Sequence, residues 1–221
     1  MIPGGGSKQR RDTIASQNYN MTAGRIMRQA LICFILLAVT PIGAQAATPS
    51  GAFAVRGAGV IDCKTFLVER KNRSRDYLMM GGWIDGYLTG INEYAPHTYD
   101  VASFESTELY AQIIADYCRK HPTVSLFAVM NSIVRERWKN RIIERTPSVA
   151  LTLGGQHARL YQETIRRIQE RLATKGFYAS KPTGAFNAET MSAIAAFQKT
   201  LHGYKATGFP DQATLYLLFS Q

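Results

Sequence analysis

Side chains able to do chemistry are few in this chain, and they are scattered. The histidines His97, His121, His157 and His202 fall in separate stretches. None forms the His-x-x-x-His spacing that places two imidazoles on one helix face for zinc. His121 precedes Pro122 and reads as a helix-end residue. Asp85 and Glu93 lie eight residues apart in a helical stretch, about 12 Å along the axis. The paired carboxylates of a glycosidase stand roughly 5–9.5 Å apart, so these two read as surface groups. No Gly-x-Ser-x-Gly elbow and no phosphate-binding loop occurs. Catalysis, a metal and a cofactor are therefore not expected.

The cysteines Cys33, Cys63 and Cys118 sort according to the N-terminal segment. Arg25 and Arg28 precede an apolar run from Ala30 to Val39, Pro41 and Gly43 break it, and Ala44-Gln45-Ala46 follows. This is the charged region, apolar region and small-residue cleavage site of a secretory signal peptide. A run of about ten residues is too short to span the bilayer stably, so no membrane span is expected after cleavage at Ala46 or Ala47. Residues 1–46 are thus read as leader and signal, with Met1 or Met21 as the start, and the destination as periplasm or cell envelope. Cys33 follows Ala30-Leu31-Ile32, lacks the small residue that lipidation needs directly before it, and leaves with the signal. Cys63 and Cys118 remain as an even count in an oxidising compartment, which predicts a disulfide between them. Closing a loop of 55 residues stabilises by roughly 4 kcal/mol in the chain-entropy model. No mature cysteine is then free as a nucleophile.

The formal net charge of +10 and pI near 9.7 favour anionic partners. Export removes nucleic acid from that group and leaves wall polymer or a membrane surface.

The elements are helical, and the predicted class is all-α. Residues 59–144 read as a disulfide-linked four-helix bundle. Its second helix, Asp76 to Tyr94, carries the apolar stripe Met80, Trp83, Ile84, Tyr87, Leu88 and Ile91. Gly82, Gly86 and Gly90 fall four apart on this helix. Each glycine costs about 1 kcal/mol against alanine in a helix, so the row predicts a packing or docking face where another backbone approaches. The pattern Cys63, Trp83-x-x-Gly86-Tyr87-x-x-Gly90 and Tyr117-Cys118-x-x-His121-Pro122 resembles a family of small secreted helical proteins. That family includes HdeA-type acid-stress periplasmic chaperones and immunity proteins against secreted toxins. The resemblance implies a binding or inhibitory role toward a periplasmic protein. Residues 145–157, with Thr146-Pro147-Ser148 and Gly154-Gly155, read as a linker.

Residues 158–221 hold an internal repeat. Thr183-Gly184-Ala185-Phe186-Asn187-Ala188-Glu189-Thr190-Met191 aligns with Thr207-Gly208-Phe209-Pro210-Asp211-Gln212-Ala213-Thr214-Leu215. Each copy reads as a glycine turn followed by a capped helix, and the pair packs on a leading helix from Thr164 to Lys175. With Ile168-Gln169-x-x-Leu172, Ala193-Ile194 and Phe197-Gln198, the segment resembles the three-helix peptidoglycan-binding domain at the ends of many wall hydrolases. It departs by carrying Thr183 and Thr207 where the family often has Asp before the turn glycine. The resemblance implies a peptidoglycan partner. Exposed aromatics and amides are expected to make the contacts, with Tyr178, Asn187, Gln198 and Tyr204 as candidates; Tyr178→Ala and Gln198→Ala should then weaken wall binding without unfolding. The functional expectation is a non-catalytic envelope protein. The alternatives are an immunity or chaperone-like protein whose bundle binds a protein, and an accessory subunit of a wall hydrolase.

Overall fold

The computed structural model describes Met1 and residues 48–220, so the signal segment and Cys33 lie outside the described residues. Residues 54–221 form one compact unit. Helices α1 (Cys63–Asn72), α2 (Arg75–Tyr94), α3 (Thr107–Cys118) and α4 (Leu126–Arg137) come first. A hairpin of β1 (Ser148–Leu153) and β2 (Gln156–Tyr161) follows, and then α5 (Gln162–Thr174), α6 (Ala188–Lys199) and α7 (Gln212–Ser220).

Each helix of the first region starts at a short polar cap, because four backbone N–H groups at a helix start lack partners. Asp62, Ser74, Ser106 and Ser125 accept from the amides of Thr65, Tyr77, Leu109 and Ala128 respectively. Met80, Ile84 and Leu88 of α2 are buried against Ile114 of α3 and Met130 of α4. Cys63 and Cys118 are joined as the sequence predicted, with Cα atoms 4.9 Å apart. The staple therefore ties the first turn of α1 to the end of α3. Trp83 lies over the turn before α1: its indole N–H donates to the Arg56 carbonyl at 2.9 Å. A Cβ on Gly59 would fall 2.5 Å from the Trp83 ring.

Of the packing and docking faces that the glycine row predicts, packing by another helix is absent within this unit. Gly82 and Gly86 are exposed and Gly90 is partly so, and a Cβ at any of the three would meet no atom within 4 Å. Their helical cost is not offset by packing inside this unit.

The hairpin is the departure from an all-α chain, which is mainly rather than wholly helical. It occupies most of the stretch read as a linker, in register from Ser148 opposite Tyr161 to Leu153 opposite Gln156. Gly154 and Gly155 have φ of +57° and +77°, the left-handed pair that a two-residue hairpin turn matching strand twist requires. Leu151 and Leu160 face inward and join the apolar cluster of α5–α7.

The segment between α2 and α3 holds the C-terminal helices against the first region. Phe104 stacks on Phe219 of α7 at 5.2 Å. Gln212 donates to the Phe104 carbonyl and accepts from the Ser106 amide, both at 2.8 Å. Thr164 donates to the Ser103 carbonyl at 2.7 Å, and the Tyr161 hydroxyl donates to Asp100 at 2.7 Å. Beneath these contacts Arg137 stands 3.7 Å from Glu105, both side chains buried, with its guanidinium over the Tyr216 ring. Burial pushes the Glu105 carboxyl above the usual carboxylate range, and the Phe104 amide and Arg137 oppose the rise.

Candidate functional site

The repeat seen in residues 183–191 and 207–215 is built twice in space, each time around a buried glutamine. In the first unit Gln169 of α5 is fully buried. Its Oε1 accepts from the amides of Thr183 and Gly184 at 2.8 and 2.9 Å. Its Nε2 donates to the Ala185 carbonyl at 2.9 Å and the Thr190 hydroxyl at 2.8 Å. In the second unit Gln198 of α6 does the same work. Its Oε1 accepts from the Gly208 amide at 2.8 Å, and its Nε2 donates to the Phe209 carbonyl at 2.9 Å and the Thr214 hydroxyl at 3.0 Å. Each preceding helix thus grips the turn that launches the next one. A buried amide with every group paired fixes geometry, whereas one left half-paired is costly.

The turns explain the remaining constants of the repeat. Gly184 and Gly208 have φ of +77° and +73°. A Cβ there would lie 2.7 Å from the carbonyl oxygen of Gln162 or of Met191 respectively. Glycine is therefore required twice over, by backbone conformation and by the approach of another backbone. The hydroxyls of Thr183 and Thr207 accept from the amides two residues on, Ala185 and Phe209. Asn187 accepts from the Thr190 amide at 2.9 Å, and Asp211 from the Thr214 amide at 2.8 Å. The threonine of each copy is buried and hydrogen-bonds both to its cap and to its glutamine. Gly176 ends α5 with φ of +80°; its amide bonds to Ala173 O and that of Phe177 to Leu172 O, the paired bonds of a Schellman cap.

These facts place the candidate contact residues apart. Gln198 is completely buried with both ends of its amide engaged, so it is a latch of the fold and offers nothing to a ligand. Tyr178 is 5% exposed and packs in the core of α5–α7. The sequence places both at the surface; in the structure Tyr178 instead belongs to the apolar cluster that holds Ile168, Leu172, Phe197 and Leu215. Asn187 is exposed while it caps α6. Tyr204, 39% exposed in the loop after α6, presents its ring to solvent. Gln169 and Gln198 hold equivalent places, each on the helix that precedes a Thr-Gly turn, and that shared placement is the sequence signal for their common role.

The surface beside α5 is basic. Arg166 and Arg167 both reach Glu163, at 2.6 and 2.8 Å, and Arg166 also pairs with Glu170. The Arg166 hydrogen bond, assisted by that of Arg167, holds the Glu163 carboxyl below the usual range. Arg171 lies over the Phe219 ring. His97, His121 and His202 lie in separate loops and His157 on β2, and among the described residues no group of three His, Cys, Asp or Glu side chains is placed to hold a metal. Also among the described residues, no helix is long and apolar enough to cross a membrane.

Residues 161–218 match the family model described as "Putative peptidoglycan binding domain". The match spans α5–α7 with both glutamine latches and includes none of α1–α4. No curated protein and no solved structure matches the chain. The disulfide together with this domain points to an extracytoplasmic location.

Proposed function

We propose that this chain is an exported, non-catalytic envelope protein that binds peptidoglycan through residues 158–221 and presents the disulfide-stapled bundle in the periplasm. The observation that carries the reading is the coincidence of the family match at 161–218 with two complete turn-and-latch units, neither of which has lost a glycine, a cap or a buried amide. Signal cleavage at Ala46 or Ala47 and assembly of the disulfide outside the cytoplasm belong to the same reading.

In this account the wall meets the exposed turns, not the interior amides. Glycan rings stack on aromatic faces, and stem peptides need hydrogen-bonding groups. Tyr204 and the exposed face of Asn187 are the proposed contacts. Titrating the mature chain with solubilised wall fragments, while following backbone amide shifts by NMR, tests the placement. Shifts centred on residues 183–187 and 203–208 support it. Shifts confined to α1–α4, or none at millimolar fragment, remove the C-terminal domain as the binding element.

A further inference from the structure

One cavity lies in the bundle, far in sequence from the wall-binding match. It measures about 760 Å³ and opens between α1, α2 and α3. Arg70, Lys71, Arg73 and Arg119 line it against a single lining carboxylate, Glu108. Arg70 bonds to Glu108 and to Gln112, both at 2.9 Å, yet its Nε is buried with no partner. Arg119 pairs with Asp116. Lys71 and Arg73 make no ion pair among the described residues, so the cup holds uncompensated positive charge.

Its wall is apolar: Leu67, Ala115 and the ring of Tyr77 line it, and Leu78 stands at the rim with 71% of its surface exposed. The Tyr77 hydroxyl is fixed by donation to Glu108 at 2.8 Å. A second cavity of about 300 Å³ shares Tyr77, Leu78 and Glu108 with the first and continues past Gly81 and Gly82 to Asp85. Asp85 is exposed and accepts from the Thr107 hydroxyl at 2.8 Å. The groove therefore has a cationic end, a middle of Tyr77 and Leu78 in which the Glu108 carboxylate is held by Arg70 and Tyr77, and a second carboxylate, Asp85, at the far end, and the glycines leave room where side chains would close it.

We infer that this groove binds a short zwitterionic peptide, its carboxylates at Arg70, Lys71 and Arg73 and its amine toward Asp85, and that the peptide is the stem of the wall polymer. Planar guanidinium groups match carboxylates in a fork, and the apolar wall takes a small aliphatic side chain. The identification of the source rests on the wall-binding reading; the groove's charge pattern does not.

Isothermal titration of the mature chain with the free tripeptide L-alanyl-γ-D-glutamyl-L-lysine tests the inference, beside the same tripeptide with both carboxyls amidated and inorganic phosphate. Expected are binding of the free acid, at least 10-fold weaker binding of the amide and of phosphate, and at least 10-fold loss in Arg70→Gln. Should circular dichroism show Arg70→Gln misfolded, the surface double variant Lys71→Gln/Arg73→Gln decides by the same criterion. Equal affinity for acid and amide, tighter binding of phosphate, or undiminished binding in the variants overturns the inference. Sacculus sedimentation run in parallel separates the two claims. Tripeptide binding without sedimentation keeps the groove as a zwitterionic-peptide site and defeats both its assignment to the wall stem and the wall-binding reading, whereas sedimentation without tripeptide binding overturns the groove and keeps the wall-binding reading.

Discussion

Replacing Gln198 by alanine separates a latch from a ligand contact. The change removes the acceptor of the Gly208 N–H, and Gly208 is buried. An unpaired buried donor costs about 1–3 kcal/mol. Phe209 O keeps its bond from the Asp211 amide and Thr214 keeps Asp211, so those two losses are nearer the ordinary net value of about 1 kcal/mol together. Removing the rest of a fully buried side chain leaves a void worth roughly another 1 kcal/mol. The total is about 3–5 kcal/mol, or roughly 6–20 °C in Tm at 2–4 °C per kcal/mol for a domain of this size. The assay is thermal unfolding by circular dichroism at fixed pH, with urea midpoints as a check. Gln169→Ala should cost at least as much, since it strands the amides of both Thr183 and Gly184. A loss below about 1 kcal/mol in both variants, with wall binding abolished, would refute the latch and return the glutamines to the ligand surface.

Other expectations follow from the same structure. Gly208→Ala should destabilise by about 2–4 kcal/mol, because it adds positive-φ strain to a 2.7 Å approach to Met191 O; urea midpoints measure it. Cys63→Ser/Cys118→Ser should lose roughly 4 kcal/mol, and reductant should lower the Tm of the wild type but not of the variant. Glu163 has its folded pKa depressed, first by Arg166 and then by Arg167. Its contribution is therefore present above the ordinary carboxylate pKa and lost as pH falls through the folded value. Glu163→Gln should flatten the acid limb of a Tm-against-pH curve. Tyr204→Ala should leave Tm within about 2 °C, as surface changes do, while weakening sedimentation with sacculi; unchanged sedimentation removes Tyr204 from the contact surface.

Much of the helical frame could be read from short-range chemistry. The caps Asp62, Ser74, Ser106, Ser125 and Asn187 are local devices, and the stripe of Met80, Ile84 and Leu88 needs only a period of 3.6 residues. The Thr-Gly repeat was visible because a positive φ and an orphan N–H each demand a particular residue type. The hairpin departs from the linker reading although Val149, Leu151 and Leu153 alternate before Gly154-Gly155: a glycine pair signals a linker and a two-residue hairpin turn alike, and the flanking apolar alternation is what tells them apart. The glycine row was legible as a shared face, but not as to what lies against it. Spacing shows that glycines share a face, but only three dimensions show whether anything lies against it, and within 4 Å nothing does. Tyr178 and Gln198 misled because polarity predicts a surface position only on average. A buried amide needs partners that are distant in sequence, here ten to sixteen residues on, and those partners lie beyond any local pattern. The cationic groove of α1–α3 was equally illegible, since Arg70, Glu108 and Arg119 meet only once the helices pack.

The central claim is that the C-terminal domain recognises peptidoglycan as a structure and not merely as a negative surface. With a net charge of +10, nonspecific adsorption is the competing explanation, and salt tells the two apart because exposed charges are screened beyond about 10 Å at 0.1 M and about 3 Å at 1 M. The direct measurement is sedimentation of the mature chain with purified sacculi at low and at molar salt, beside the destabilised Gly208→Ala variant. The account predicts pelleting that changes less than about threefold with salt and falls in the variant once its α5–α7 module unfolds. Complete release by molar salt, with equal pelleting of the unfolded variant, would contradict it.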